Sequence, residues 1–412
     1  MSIAKCLIIT HRPMLPDMDG GAKGMYEFAN ALNNSGISVA WATMRKKDGA
    51  DATVCPQSSI FLSKYFGPLV SNNTAGLLLL SVFTSSKPFN MWKYWSREFK
   101  KQLIDIVAEE RPDFIVCEHL HTAQYGRIIK EIYLDIPIIL REHNVEYIIL
   151  QRMAMGFRNP IKKMVYAHQS IRLQKYEKAA LGWVDQVVAV TATDADMLNS
   201  MCPDLAHPVE VVLSSITGPD RIQKKFIENG VIRLLHFAAM ESPANQKGLY
   251  WFLDAVLPIL RSLSISFRVS VFGKGMPDWV ARYAAEDVVV RGFVENVEEA
   301  YADADLALVT VQAGSGIRIK ILEHSIWGVP IISTRVGAEG LVNPLESGVS
   351  VCDSPDEYAN IISRFANDPT RLYEMSERGR VWVKNYYSET STARSILSLV
   401  NRIKGTGVRY EC

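Results

Sequence analysis

Residues 114–146 read FIVCEHLHTAQYGRIIKEIYLDIPIILREHNVE. Phe114 to Cys117 is an unbroken apolar run, and so is Ile136 to Leu140; between them Ala123 to Tyr133 carries apolar residues at helical spacing. A strand wetted on one face alternates apolar with polar, whereas an unbroken run is covered on both faces. Strand, helix and strand in that order predict a parallel pair inside a helix-covered sheet. Each run also turns abruptly polar. Glu118-His119-Leu120-His121 follows the first, and Arg141-Glu142-His143-Asn144-Val145-Glu146 follows the second. Both clusters therefore fall at carboxyl ends of strands, where open parallel sheets bind ligands.

The alternation extends both ways. Strand-like Cys6 to Thr10, Ser38 to Ala42 and Gln186 to Val190 flank this stretch, with helical Ala22 to Asn34, Trp92 to Glu110 and Ile161 to Leu181. A second round follows. Its strand-like runs are Glu210 to Leu213, Ile232 to Phe237, Phe267 to Phe272, Val288 to Val290, Leu306 to Thr310 and Pro330 to Ser333. Helical Gly248 to Arg261, Asp278 to Ala284, Ile317 to Trp327, Pro355 to Asn367 and Pro369 to Val383 lie between and after them. A chain of 412 residues exceeds what one hydrophobic core usually serves. The expected architecture is α/β, with two doubly wound Rossmann-like domains, 1–204 and 205–385, facing across a cleft. The break is placed in the Cys-Pro and His-Pro punctuation between Met201 and Glu210. Residues 386–412 hold a last helix, Thr390 to Ile403, expected to cross back onto the first domain.

Bulk properties exclude several classes. With 45 basic and 44 acidic residues the net charge is +1, so no global field draws nucleic acid and no polynucleotide partner is expected. Cys6, Cys55, Cys117, Cys202, Cys352 and Cys412 are scattered without a CxxC pair, and a reducing compartment fits them best. MSIAKCLIITHRP at the start reads as a first strand rather than a signal peptide. The most apolar window, Ala75 to Phe83, falls far short of the ~20 residues that span a bilayer. A cytoplasmic protein is expected, at most peripheral on the inner face of a membrane.

The strongest local signal is Gly314-Ser315-Gly316-Ile317-Arg318-Ile319-Lys320-Ile321-Leu322-Glu323, after the run Leu306 to Thr310 and at a helix start. Glycines let backbone approach a ligand, and a helix start offers unpaired N–H groups to an anion. Arg318 and Lys320 add two cations suited to a diphosphate. Glu323, further along the helix, suits the two hydroxyls of a ribose. A plain loop leading into a surface helix would account for the same residues. Asp19-Gly20-Gly21-Ala22-Lys23-Gly24 after the first strand is a second glycine turn of the same kind. In the polar cluster after Phe114 to Cys117, His119 and His121 are open to three readings: a metal site, a structural hydrogen-bonded pair, or contact with a substrate. The sequence offers no clear third and fourth ligand for a metal. Asp17-x-Asp19, Asp194-x-Asp196 and Asp303-x-Asp305 read as structural, and no metal or other cofactor is expected.

Gly314 through Gly328, continuing as Pro330-Ile-Ile-Ser-Thr-Arg-Val-Gly-Ala-Glu-Gly-Leu341, resembles the nucleotide-sugar segment of glycosyltransferase family 4, a retaining family of GT-B fold. The Gly20-Gly21 turn, Glu118 to His121, Arg141 to Glu146 and Val290-Arg291-Gly292-Phe293-Val294 match in the same order, so the resemblance covers nearly the whole chain. It implies sugar transfer from a nucleotide-diphosphate donor, a UDP-sugar favoured, to a glycan, glycolipid or other acceptor in cell-surface polysaccharide or glycoconjugate synthesis. It implies that Glu323 holds the ribose and that Gly314, Ser315 and Gly316 present amides to the diphosphate. Lys247 matches a basic donor-binding position, and Gly20, Gly21 and Gly292 border the donor. His119, with His121 as its alternative, would touch the donor sugar; His143 and Glu146 would position sugar or acceptor. Arg318 and Lys320 would supply the charge of an arginine that the family has where Ala239 and Met240 stand here. Ser315 stands where the family often has a sugar-binding glutamate. Retention without an enzymic base would leave the departing β-phosphate to take the acceptor's proton.

Two other functions compete: a sugar-nucleotide epimerase of the same fold, and a nucleotide-sugar-binding protein without turnover. A nicotinamide dehydrogenase is disfavoured, because Ala40-Trp41-Ala42-Thr43 stands where an acidic ribose ligand would follow strand two. Helical Arg158 to Lys178 interleaves Lys162, Lys163, Arg172 and Lys175 with apolar residues; it reads either as a solvated helix or as a contact with anionic lipid.

Overall fold

The apolar runs become strands of two parallel sheets. A computed structural model describes residues 4–14, 20–46, 61–69, 88–157, 159–220, 222, 224–312 and 316–405. The first sheet contains β1 (Lys5–Thr10), β2 (Ser38–Lys46), β3 (Phe61–Leu69), β4 (Phe114–Glu118), β5 (Ile138–Glu142), β6 (Gln186–Ala189) and β7 (Glu210–Val211). Their order is β3-β2-β1-β4-β5-β6-β7, and every pairing is parallel. The second contains β8 (Val231–Phe237), β9 (Ser266–Phe272), β10 (Val288–Gly292), β11 (Leu306–Val309), β12 (Ile331–Ser333) and β13 (Val349–Val351). Its order is β10-β9-β8-β11-β12-β13, again all parallel. The chain divides into two compact units, Met1–Ser215 with Glu389–Cys412, and Ile216–Ser388. β7 lies beyond residue 204 and pairs with β6, so the first sheet retains it.

Strand order locates the candidate sites. In each sheet the chain starts in the middle, works outward to one edge, then returns to build the other half. The reversal falls between β1 and β4 in the first unit and between β8 and β11 in the second. Loops leaving neighbouring strands on either side of such a reversal diverge, and the crevice between them is the ligand site of open α/β sheets.

Two strands were not predicted. β3 contains Gly67 and Pro68, which break the apolar signal; it survives at the sheet's edge, where proline need not donate. β13 is three residues long. The predicted helix over Trp92 to Glu110 is instead two, Phe89–Lys93 and Arg97–Glu110, because Ser96 accepts the amide of Phe99 (3.2 Å) as a new helix cap. The helix of Pro243–Trp251 passes through a π turn, Phe252–Val256, into Leu257–Ser262. Pro258 explains the irregularity: it has no N–H for an α-helical bond, and its ring needs room in the preceding turn. Gly248 faces the sheet so closely that a Cβ would lie 2.5 Å from the Thr310 carbonyl oxygen, which fixes glycine there.

The last helix, Glu389–Lys404, belongs to the first unit. Its Ala393, Ile396, Leu397, Leu399 and Val400 are buried in one cluster with Met25, Phe28, Ala29 and Leu32 of the helix Gly20–Asn34. Glu389 accepts from Asn30 (2.6 Å), and Arg402 pairs with Glu210. Ile216 and Tyr387, near the two ends of the second unit, are joined by a backbone hydrogen bond of 3.1 Å. Among the described residues, no helix is long and apolar enough to cross a membrane.

Candidate active site

In the first unit, side chains gather beyond the ends of β1, β4 and β5. His119 follows β4 directly, and the helix Leu120–Ile132 starts at the next residue, three earlier than predicted. That abrupt junction forces His119 to φ 66° and ψ 155°, a conformation natural to glycine. Such strain costs on the order of 1–3 kcal/mol and persists only where neighbours over-determine it. Here they do. The His119 amide donates to the Arg141 carbonyl (2.9 Å), the Leu120 amide to Glu142 Oε2 (2.9 Å), and Thr122 Oγ1 to the Glu118 carbonyl (2.9 Å).

Behind His119 lies a buried ionic group. Arg141 and Glu118 are both fully buried, with Arg141 Nη1 3.1 and 3.0 Å from the two Glu118 oxygens. Arg141 Nη2 also donates to Ser214 Oγ (3.3 Å), and its guanidinium stacks over the Phe28 ring at 4.3 Å. His143 Nε2 lies 2.5 Å from Glu118 Oε2, and its ring stacks on His119 with centroids 3.9 Å apart. Burial pushes Glu118 up to about 7, and Arg141 pulls the other way. His143 is thus tied into this group and braces the His119 ring.

On the other side of His119 stands His11, just past β1. Its ring meets His119 edge-on at 4.9 Å and stacks on His121 at 4.6 Å; Tyr94 contacts both His11 and His121. Burial pushes His11, His119 and His143 well below the ordinary imidazole range and brings His121 down to about 3. The four rings are therefore neutral at physiological pH. Glu146, at the start of the helix Glu146–Gly156, comes to the same place: one ligating atom from each of His119, His121 and Glu146 lies within 4.8 Å of the others. The sequence alone offered no third partner for the two histidines; adjacency of β4 and β5 supplies it. Burial raises Glu146 to about 7.

In the second unit the corresponding ends are those of β8 and β11. Gly314 and Ser315 lie outside the described residues, as do Asp17 and Asp19. Gly316 is buried with φ 73°, and Arg318 immediately precedes the helix Ile319–Ile326, its Nη1 donating to the Gly316 carbonyl (3.2 Å). Lys320 Nζ donates to Asn245 Oδ1 (2.9 Å), and Asn245 in turn donates to the Ala239 carbonyl (2.8 Å) beyond β8. Burial, with Arg318 acting in the same sense, pulls Lys320 down to about 8. His236 in β8 is buried, held neutral by burial and then by Lys320, and 3.4 Å from Thr310 Oγ1. Glu323 is half-buried on the same helix as Lys320. Lys247 is exposed on the helix Pro243–Trp251, and Gly292 ends β10 with φ 70°. In the first unit, Gly20 and Gly21 open the helix Gly20–Asn34.

Sequence reasoning passed over His11, His236 and Asn245. His11 carried a signal, an imidazole just after the first strand. Asn245 looks like one more polar residue at a helix start. Among the described residues, Asp303, Asp305 and Asp194 are tied into local structure. Asp303 and Asp305 pair with Arg233, and the Asp194 amide donates to the helix cap Thr191 (3.0 Å).

The family described as Glycosyltransferase Family 4 matches residues 18–216, and that described as Glycosyl transferases group 1 matches residues 231–368. Among solved structures, sucrose-phosphate synthase from Thermosynechococcus elongatus is similar over 97% of this chain and 99% of its own, with TM-score 0.68 and 16% identity. Anabaena HepE, solved in complex with UDP and glucose, is similar over 96% of this chain and 99% of its own, with TM-score 0.65 and 16% identity. TarM covers 97% and 99% with TM-score 0.67 and 11% identity. No curated protein matches the chain in sequence. At these identities the structures speak for the fold, which is the two-domain α/β fold of GT-B glycosyltransferases.

Proposed function

Because the chain belongs to the group 1 and family 4 glycosyltransferases, we propose that it transfers a hexose from a UDP-sugar, with retention at the anomeric carbon, to a glycan or lipid-linked acceptor of cell-surface polysaccharide synthesis. The observation that carries the donor half of this reading is the cationic end of the second unit. Arg318 and Lys320 flank the start of the helix Ile319–Ile326, and Lys320 is pinned by Asn245. A helix start with two cations suits a diphosphate, which gathers negative charge as the sugar departs. The HepE structures contain UDP, or UDP-glucose, and lend weight to a uridine donor. Glu323 takes the ribose hydroxyls in this reading, and Gly314 to Gly316 give amides to the phosphates.

In this reading His119 offers a neutral imidazole to the donor sugar; within the first unit His143, Arg141 and Glu118 hold its ring, and His121 and Glu146 stand beside it. A neutral ring accepts or donates one hydrogen bond without adding charge near the oxocarbenium-like carbon. In this reading no side chain serves as the base: the β-phosphate takes the acceptor's proton, and no metal cofactor is required. The helix Pro160–Ala180 exposes Ile161, Met164 and Ile171 along with Lys162, Lys163 and Lys175. That mixture fits an anionic lipid surface on which a lipid-linked acceptor would sit, on the cytoplasmic side of a membrane.

The decisive experiment compares UDP-, GDP- and ADP-sugars for thermal stabilisation, then follows donor consumption with acceptor extract. Stabilisation by UDP-sugars and acceptor-dependent release of UDP are expected. Epimerisation of the sugar without acceptor would favour the epimerase reading instead. Glu323→Gln is expected to raise the donor Michaelis constant while leaving turnover near normal; an unchanged constant removes the ribose role.

Lys320 adds a pH signature. Its charged form is lost as pH rises through about 8, so UDP affinity should fall across that range. A bound diphosphate stabilises the ammonium, so binding takes up a proton above neutrality. Calorimetry in buffers of different ionisation enthalpy reads this uptake, which Lys320→Arg should abolish. Flat affinity through about pH 8 would mean that Lys320 does not meet the anion.

A further inference from the structure

We propose that His119, His121 and Glu146 form a binding site for one divalent transition-metal ion, zinc by preference. The three offer ligating atoms within 4.8 Å of one another, and none of the residues is more than 9% exposed. His119 Nε2 and His121 Nδ1 find no hydrogen-bond partner among the described residues, although both are buried. Buried polar atoms left this way are uncommon, and a bound ion is one of the things that satisfies them. Imidazole nitrogens with unused lone pairs beside a carboxylate are what a borderline metal ion binds.

The donor set selects the ion. Two imidazoles and one carboxylate make an open site for zinc, with a fourth position left over; magnesium and calcium prefer oxygen throughout. Zinc–nitrogen bonds of about 2.0–2.1 Å require the three side chains to draw in by roughly 1 Å from the present separation. Supporting groups are already present. His143 stacks on His119 at 3.9 Å, and the backbone amide of Glu146 donates to Glu177 Oε1 (2.8 Å), fixing the helix start that carries the carboxylate. Arg12 bears on both histidines, Arg141 on His119 and Lys93 on His121, all against a cation; the Glu146 carboxylate supplies the opposing charge.

Occupancy would take His119 out of reach of the sugar, so zinc is an inhibitor rather than a cofactor. That consequence rests on the sugar-facing role of His119; binding itself does not.

The test is titration of the metal-free full-length protein with Co²⁺ followed by visible absorption, then displacement by Zn²⁺ measured calorimetrically. One ion per chain is expected, with an imidazole–carboxylate spectrum. His121→Ala, His121→Gln and Glu146→Gln should each weaken binding by more than the ~10–100-fold typical of losing an outer-shell partner, with thermal unfolding confirming that each variant is folded. Absence of stoichiometric uptake by the unaltered chain overturns the proposal. So does a thiolate charge-transfer band, which would put the metal on cysteine, or undiminished affinity in folded variants. If zinc binds as described but sugar transfer is unaffected, the metal site stands and His119 loses its sugar-facing role.

Discussion

Replacing Lys320 by alanine is expected to lower turnover about a hundredfold, because one donor aimed at the charge developing on a leaving oxygen contributes on the order of 2.7–4 kcal/mol to the transition state. Arg318→Ala should have an effect of the same size. The two cations act on one diphosphate, so the double variant should lose less than the product of the single losses. Asn245→Ala offers a sharper check. It leaves Lys320 in place but releases the ammonium from the 2.9 Å bond that aims it, so turnover should fall by a smaller factor while UDP still binds. Steady-state kinetics with saturating donor measures all four variants. Turnover unchanged in both Lys320→Ala and Arg318→Ala would put the diphosphate elsewhere.

The second large effect is on stability. Arg141→Met should destabilise the first unit by about 3–5 kcal/mol, the usual consequence of stripping one partner from a buried ion pair. Glu118 then has no countercharge in a fully buried position. Its folded pKa, already lifted to about 7 with Arg141 present, moves further above its unfolded value. A raised carboxyl pKa costs stability as pH rises; since Glu118 already sits at about 7 in the unaltered chain, the variant's extra deficit should open as pH rises through about 7 and beyond, and stay constant at more acid pH. Adding Glu118→Gln should recover much of the loss. Thermal unfolding at several pH values measures the effect; a small, pH-independent change would mean that Glu118 is held as a neutral acid by other groups.

Much of this was legible in the sequence. Unbroken apolar runs such as Phe114 to Cys117 and Leu306 to Thr310 marked strands covered on both faces, and their polar endings marked where side chains would gather. What escaped detection was set by pairing rather than by local pattern. β3 carries Gly67 and Pro68 and is a strand because β2 pairs with it along its length. Ser96 splits a run of helix formers because its side chain caps the second helix. Glu146 stands out in the sequence as a positioning residue of its own cluster, but only the β4–β5 adjacency brings it to His119 and His121. Asn245 meets Lys320 across 75 positions, a separation that no spacing rule spans. The strained φ of His119 was invisible as well, since histidine has no preference for it.

The helix Glu389–Lys404 has a consequence for synthesis. Its apolar side completes a cluster built otherwise from residues of the first unit, yet a ribosome makes it only after the whole of 216–388. At the usual ~5–20 residues per second, the groove that receives it stays bare for roughly ten to thirty seconds. During that interval Met25, Phe28 and Leu32 present an oily stripe to the surroundings of a nascent chain. The first-made half of this protein is therefore the last to be sealed, and chaperone capture should concentrate on the helix Gly20–Asn34.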